Sequence, residues 1–427
     1  MIQALYSRSP RSVTEHLAKV QTTGSERFHQ KYYVQYGHKS IGDCGFTAIF
    51  AEHISLLAAK AIQDNPLYCG QEASTRYLDF SKLGLVNPCG ERGAAIQADW
   101  MAFYERMLPI LIEHFAERFP REEGQKEKVW QKAVKARAFD VARGFLPAGV
   151  RTFAAWSTNL RQAADHLKLM RHHPLEEIKE IAFAMTDQLR ERYPSSFNPR
   201  TPRNDEDRRL IEDQERYYAK SVARWAFTDD PDCPPHGDLW VQDRFDHQAI
   251  QEHADLISSR PPRTELHQRF RQFGDIVFKI PLDFGSYRDL QRHRSCVQEM
   301  PLLTTKHGFH PWYLEQLPEA LRVEADEVIE KAIVDLDALD ASPENKQYAT
   351  AIGFTCNVKI TCSLPSAVYI AELRSGTTVH PTVRVVAQQI GDLLAQTVPC
   401  LLMHHDKSAG VWDIRRGEQD IVKREDS

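Results

Sequence analysis

The chain has 427 residues, a formal net charge of -5, 8 cysteines, 42% apolar residues and 26% charged residues. The length exceeds one ordinary hydrophobic core and suits two domains of about 200 residues, while the composition excludes a disordered chain. The charge gives no global reason to expect a nucleic-acid polymer as partner, and cysteines without a C-x-x-C pair suggest neither a zinc site nor a disulfide framework. No apolar run approaches the roughly 20 residues that cross a bilayer, and the Met-Ile-Gln start lacks a basic region followed by an apolar signal core. The expected location is cytoplasmic, with no membrane partner.

Gly45 to Glu52 (GFTAIFAE) reads as a strand that leads into a helix from about Ile54 to Asp64. Helical patterns then cover Asp99 to Phe119, Lys126 to Ala142 and, after a turn-rich stretch, the amphipathic Leu160 to Met170. His173-Pro174 precedes a further helix, Pro174 to Arg192, that stops before Pro194. Residues 193 to 238 hold YPSSFNPRTPRNDEDRR, a charged helical stretch and DDPDCPPHGD, where Pro and Asp clusters break the periodicity. The order then repeats. A strand at Ile276 to Phe284 leads into a helix at Ser286 to Arg294, and helices follow at Val323 to Leu339 and Ala367 to Arg374; after His380-Pro381 comes a helix that stops before Pro399. The same order twice is the mark of an internal duplication. The expected organisation is a first domain at 1–200, a linker at 201–238 and a second domain at 239–427.

The helix after each strand carries one copy of a motif. Gln63 to Tyr77 reads QDNPLYCGQEASTRY and Gln291 to Thr305 reads QRHRSCVQEMPLLTT, with Gln63 and Gln291 separated by 228 positions. The second copy has Arg292-His293-Arg294 where the first has Asp64-Asn65-Pro66. The first ends in Glu72-x-Ser74-x-Arg76-Tyr77 where the second has Met300-x-Leu302-x-Thr304-Thr305. Read as residues, Arg-His-Arg at a helix C-terminus is either a solvated basic cap or an anion-binding cluster. The first half closes the same helix without it. Ser74 and Arg76, two apart in an extended loop, either cap something local or cradle one phosphate. Asn159 and Arg161 serve equally as a helix-cap region and a surface charge. No Ser-His-Asp triad, Cys nucleophile with a following His, or metal cluster is evident, and fixed cations with polar donors suit a protein that binds a cofactor carrying the chemistry.

The joined pattern, QRHR followed by Q-E-x-S-x-R-Y, resembles the signature of flavin-dependent thymidylate synthases, RHRxxSxNExSxRY. Gly37-His38-Lys39-Ser40 resembles that family's GHxS element, and ARGFLPAGVRTFAAWSTNLRQAADHLKLMR (residues 142–171) its A-R-x-x-L-P and N-x-R elements with a later helix-borne arginine. The resemblance implies an α+β fold, two tandem thymidylate-synthase-complementing-like domains, each a central antiparallel sheet with packed helices. It implies reductive methylation of dUMP to dTMP, with FAD as cofactor and NADPH and methylenetetrahydrofolate as co-substrates. Carried over residue by residue, it assigns His38, Ser40, Asn159, Arg161, Arg292, His293 and Arg294 to the flavin. It assigns Gln71, Glu72, Ser74, Arg76, Tyr77, Arg143, Gln291 and Arg374 to the nucleotide, and Arg171 and Arg292 to catalysis. The departures are Asp43-Cys44 after GHxS, Gln347 where the second half would repeat Arg143, and Ser363-Leu364-Pro365 where it would repeat N-x-R. A composite site is expected, with residues 72–77 from one domain and 291–294 from the other, in a homodimer that mimics the family's tetramer. The alternatives are flavin-dependent modification of another pyrimidine nucleotide and a non-catalytic nucleotide- or partner-binding module.

Overall fold

The computed structural model of the chain describes residues 2–3, 9–23, 39–197, 204–222 and 234–414. In chain order the main elements of the first half are α1 (Val13–Thr23), β1 (Phe46–Ser55), α2 (Leu56–Gln63), β2 (Cys69–Glu72), α3 (Gly90–Arg118), α4 (Glu127–Ala142), β3 (Arg151–Asn159), α5 (Leu160–Met170), α6 (Glu176–Arg192) and α7 (Asp205–Val222). The second half continues with β4 (Trp240–Phe245), β5 (Gly274–Asp283), α8 (Phe284–Leu290), β6 (Val297–Glu299), α9 (Glu319–Asp337), β7 (Thr355–Ser363), α10 (Leu364–Arg374) and α11 (Pro381–Thr397). This is an α+β architecture with antiparallel sheets, and the repeat is visible in the numbering. β5, α8 and β6 begin 228 residues after β1, α2 and β2, and β7 and α10 begin 204 after β3 and α5.

Two compact units form, and they cut across the halves. One gathers Met1–Ile54, Ala58–Glu72 and Phe153–Ala226; the other gathers Ser55–Leu57, Ala73–Thr152 and Phe227–Ser427. In the first unit the strand order is β1-β3-β2, with Cys69 opposite Ser157 and Glu72 opposite Ala154. The period of 2 turns Ala154 and Trp156 inward and leaves Phe153 and Ser157 outside. In the second unit the order is β4-β5-β7-β6. Ile276, Phe278, Ile280 and Leu282 of β5 are buried beside Cys356, Val358, Ile360 and Cys362 of β7, and α10 and α11 pack on this sheet.

Within the second unit, two segments that are repeats of each other also pair with each other. Gly149 donates its N–H to Tyr348 O (2.9 Å), Ala148 to Thr350 O (2.9 Å), Ile352 to Leu146 O (2.8 Å) and Gly353 to Gly144 O (2.7 Å). Shifting by 204 turns Gly149 into Gly353 and Gly144 into Tyr348, so the pattern maps onto itself. It is a local two-fold centred on the antiparallel bridge between Pro147 and Ala351, the isologous contact expected of a dimer interface. Gln97 Nε2 bonds Val86 O and Tyr348 O, and fully buried Trp100 bonds Ala349 O. At its ends the ladder fixes both helices that follow the repeated strands: Leu56 N–H meets Val150 O and Phe284 N–H meets Phe354 O.

The predicted strands and the helices at Lys126–Ala142 and Leu160–Met170 agree with the structure within a few residues. Other boundaries move, among them the start of the helix expected from Val323, which lies at Glu319. The helix expected from Asp99 begins at Gly90. The helix expected from Pro174 begins at Glu176. The helix expected to reach Arg294 ends at Leu290, because His293 N–H turns back to Leu290 O and Gln298 Nε2 holds the carbonyls of Leu290 and His293 (3.0 Å each). Among the described residues no helix is long and apolar enough to cross a membrane.

The ladder leaves no room at Gly149, where an added Cβ would lie 2.5 Å from Val86 O and 2.7 Å from Tyr348 O. Gly149→Ala should cost about 1–3 kcal/mol and lower the midpoint of thermal unfolding by several degrees. Gly376→Ala, with nothing within 4 Å of the new Cβ, should change stability by no more than about 0.5 kcal/mol, and scanning calorimetry of the two variants checks the contrast.

Candidate functional site

The site forms in the second unit from segments that lie far apart in sequence. Its first anchor is Arg76, fixed by a local turn in which the Ser74 hydroxyl accepts the Arg76 N–H (3.3 Å) and Tyr77 N–H bonds Ser74 O (3.1 Å). The guanidinium meets Asp140 in a fork, Nε to Oδ1 at 2.5 Å and Nη2 to Oδ2 at 2.7 Å, with Nη2 also 3.4 Å from Thr378 O. Asp140 is fully buried in the last turn of α4, where the helix dipole disfavours an anion, so Arg76 is the compensating charge. Burial works against the Arg76 charge, but Asp140 outweighs it and holds the guanidinium pKa above its ordinary value.

Arg143, three residues on and 2% exposed, reaches α8. Asp283, Ser286 and Asp289 recur every third residue and so share one face of that helix. Asp283 caps it, accepting Ser286 N–H (2.9 Å) and the Tyr313 hydroxyl (2.8 Å) on Oδ1. Arg143 Nη2 donates to Ser286 Oγ at 2.9 Å and Nη1 lies 3.5 Å from Asp289 Oδ2. Beyond Ser286 the bonds run in one direction. His380 is neutral, because burial and then the Arg143 and Arg76 charges push its pKa well below the ordinary value. Its Nε2 faces the Asp140 carbonyl (3.0 Å) and must be the donor, so Nδ1 accepts from Thr382 (2.8 Å). Thr382 has then spent its proton, and Ser286 donates to it (2.5 Å). The path from Arg143 through Ser286, Thr382 and His380 thus closes on Asp140, one turn from where it began.

Arg374 completes the cluster, donating Nε to His293 Nε2 (2.9 Å) and Nη2 to Asp289 O (2.8 Å). Burial, then the neighbouring Arg374 charge, hold His293 down at about 3, which leaves Nε2 free to accept. Burial raises the Asp289 pKa, but Arg143, Arg76, Arg374 and Arg292 together bring it below the ordinary value. The charges of four arginines, two from each half, therefore act on one carboxylate. Arg143 Nε and Asp283 Oδ2 are buried without a protein partner.

Of the residues singled out from sequence, Arg76, Arg143, Arg292, His293 and Arg374 are brought together. Gln291 is buried beside them in sequence, while Arg294 and Tyr77 are exposed. Ser40, Asn159, Arg161, Arg171, Gln71 and Glu72 belong to the first unit. There Ser40 lies exposed in a 3-10 turn. Asn159 caps α5 by accepting Gln162 N–H (2.9 Å), and Arg161 pairs with Asp43 at 3.0 Å. Arg171 faces Glu215 at 3.6 Å. Gln71 is exposed opposite Ala155, and Glu72 accepts from Gln63 Nε2 at 2.6 Å. His38 lies outside the described residues. Asp140, Asp283, Ser286, Asp289, Tyr313 and Thr382 were not singled out. A signal existed for three of them: 228 positions earlier the same helix face reads Ser55, Ala58, Ala61, so the polar face is present in one copy alone.

Residues 1–195 match the family described as thymidylate synthase complementing protein. The first half of the chain is similar to this family. Similar full-length chains include UPF0159 proteins of Chlamydia pneumoniae (24% identical, covering 84% of this chain and 76% of the relative), Chlamydia muridarum (24%, 87% and 79%) and Thermoplasma acidophilum (22%, 88% and 87%). These matches run through both halves of the chain.

Two outcomes follow from this geometry. Asp140→Ala strands the half-buried Arg76 and should cost about 3–5 kcal/mol, and coupling it to Arg76→Met should recover part of the loss; urea unfolding of both variants measures this. Because the folded pKa of His293 lies at about 3 and the unfolded value near 6.5, its contribution to stability is complete above about pH 6.5 and is lost as the pH falls toward 3. His173, at about 3, and His310, at about 4, act in the same direction. Thermal midpoints measured from pH 7 to 4.5 should fall with acid, and less steeply in His293→Gln.

Proposed function

We propose that the cluster binds a pyrimidine nucleoside monophosphate and that the chain carries out reductive methylation of dUMP to dTMP. In this reading FAD is the cofactor, and methylenetetrahydrofolate and NADPH are co-substrates. The observation that carries it is the action of the Arg143, Arg76, Arg374 and Arg292 charges on Asp289, in a chain whose residues 1–195 match the thymidylate synthase complementing family. Four guanidinium groups against the carboxylates of Asp140, Asp283 and Asp289 leave one positive charge in excess, which suits an anionic phosphate group. Arg143 Nε is a buried donor without a protein partner, as a ligand-binding cation would present.

The same donor set fits a flavin, since the exposed Arg292 and Arg294 offer planar forks to its phosphates and ring carbonyls. Bound flavin would pass the electron pair of NADPH to the pyrimidine as hydride. The part left to the chain is to bind, orient and polarise. Arginines at the ring carbonyls stabilise negative charge developing on the pyrimidine, and no enzyme nucleophile is invoked. Ser40, Asn159, Arg161 and Arg171 are proposed as further flavin-side or catalytic groups on the resemblance alone.

Purified protein should be yellow or take up added FAD, and should release tritium from C5-labelled dUMP when supplied with NADPH and methylenetetrahydrofolate. Arg292→Ala should chiefly weaken FAD binding and Arg76→Ala chiefly dUMP binding, each by about 10–100-fold, as for a lost hydrogen bond to a charged group. A colourless protein that takes up no FAD overturns the reading. Tighter binding of dCMP or UMP than of dUMP would replace the methyl acceptor while keeping the flavin.

A further inference from the structure

We infer that each chain carries a single nucleotide site, although it holds two copies of the repeat. This rests on the nucleotide-binding reading above. The two-fold ladder places residue 143 at one end and its counterpart, residue 347, at the other. A symmetric duplication would therefore build two clusters. At the first end stands Arg143, with Asp283, Ser286 and Asp289 on the receiving helix. At the second end stands Gln347, and the positions that correspond to the receiving face are Ser55, Ala58 and Ala61.

These losses are coupled by charge. A face carrying one buried and one half-buried carboxylate is tolerable when cations meet it, and removing the cation alone leaves uncompensated charge. The arginine and both acids are therefore lost together, and at this end all three are gone. The rest of the set follows. The counterparts of Arg292, His293 and Arg294 are Asp64, Asn65 and Pro66, and those of Arg76 and Arg374 are Thr304 and Met170.

Gln347 has acquired a different task. Its Oε1 accepts Leu303 N–H at 3.0 Å and its Nε2 donates to Glu344 O at 3.0 Å. Leu303 lies in the segment that corresponds to the loop bearing Arg76. Gln347 is 6% and Leu303 1% exposed. The side chain that would have reached a ligand instead ties down the loop that would have held its phosphate.

Isothermal titration of the full-length protein with dUMP and with FAD, at a chain concentration fixed by amino-acid analysis, tests the count. One site per chain is expected. Two sites per chain overturn this inference and leave the nucleotide reading standing, and half a site per chain overturns it in favour of a site shared between chains. No saturable binding of either ligand overturns both. Arg143→Gln, which copies the counterpart, should abolish saturable dUMP binding; because that variant loses a buried charge, the exposed Arg292→Ala serves as a second probe and should weaken all FAD binding rather than half of it. Gln347→Ala should lower the thermal midpoint while leaving the dUMP Kd within about two-fold, the opposite of the behaviour of a ligand-binding residue.

Discussion

The pairing of residues 144–149 with 348–353 is the constraint on which the rest depends. It is short, and made of backbone hydrogen bonds between two segments that are copies of one another. Its geometry demands close approach, which Gly149 and Gly353 permit because any side chain there would run into backbone oxygen. Once it forms, the residue before the ladder in the first copy is presented toward the second copy. That residue is Arg143, and the N-terminus of α8 is already tied to the same end of the ladder through Phe354 O. Placement of the cation and of its receiving face is thus one event.

The charges then organise each other. Buried Arg143 is tolerated because Ser286, Asp289 and the nearby Asp283 receive it, and buried Asp140 because Arg76 grips it in a fork. The neutral histidines are as informative as the ions. His380 and His293 each present a bare ring nitrogen to a donor, so the polar core is ordered by hydrogen-bond direction as well as by charge. Protonating either would turn an acceptor into a donor, and at His293 it would also place two cations in contact.

Much of this was legible in the sequence, and the reasons for the remainder are physical. The 228-residue offset and the repeated strand-helix order were readable because period and punctuation are local properties. Arg76, Arg143, His293 and Arg374 could be named because arginine and histidine in a repeat context stand out. Their acidic partners could not. An aspartate at a helix start, such as Asp283, reads as a cap, which it also is, and Asp289 reads as surface charge until tertiary packing brings four arginines to it. Asn159 shows the converse, since a cap was one of its two readings and the structure uses it as a cap. The displaced end of α8 has the same origin: Gln298, which pulls the chain out of the helix, acts from the next strand.

The grouping of Ala73–Thr152 with Phe227–Ser427 bears on how the molecule comes into being. The chain passes back and forth between its units, so no single cut separates them. A fragment holding residues 239–427 would contain Asp283 and Asp289 but neither Arg76 nor Arg143, and one half of the ladder would have no strand to pair with. During synthesis, Arg143 leaves the ribosome well before Ser286 and Thr382 do, and until they arrive its charge has no buried place to go. The burial of Arg143 therefore waits on residues of the second half.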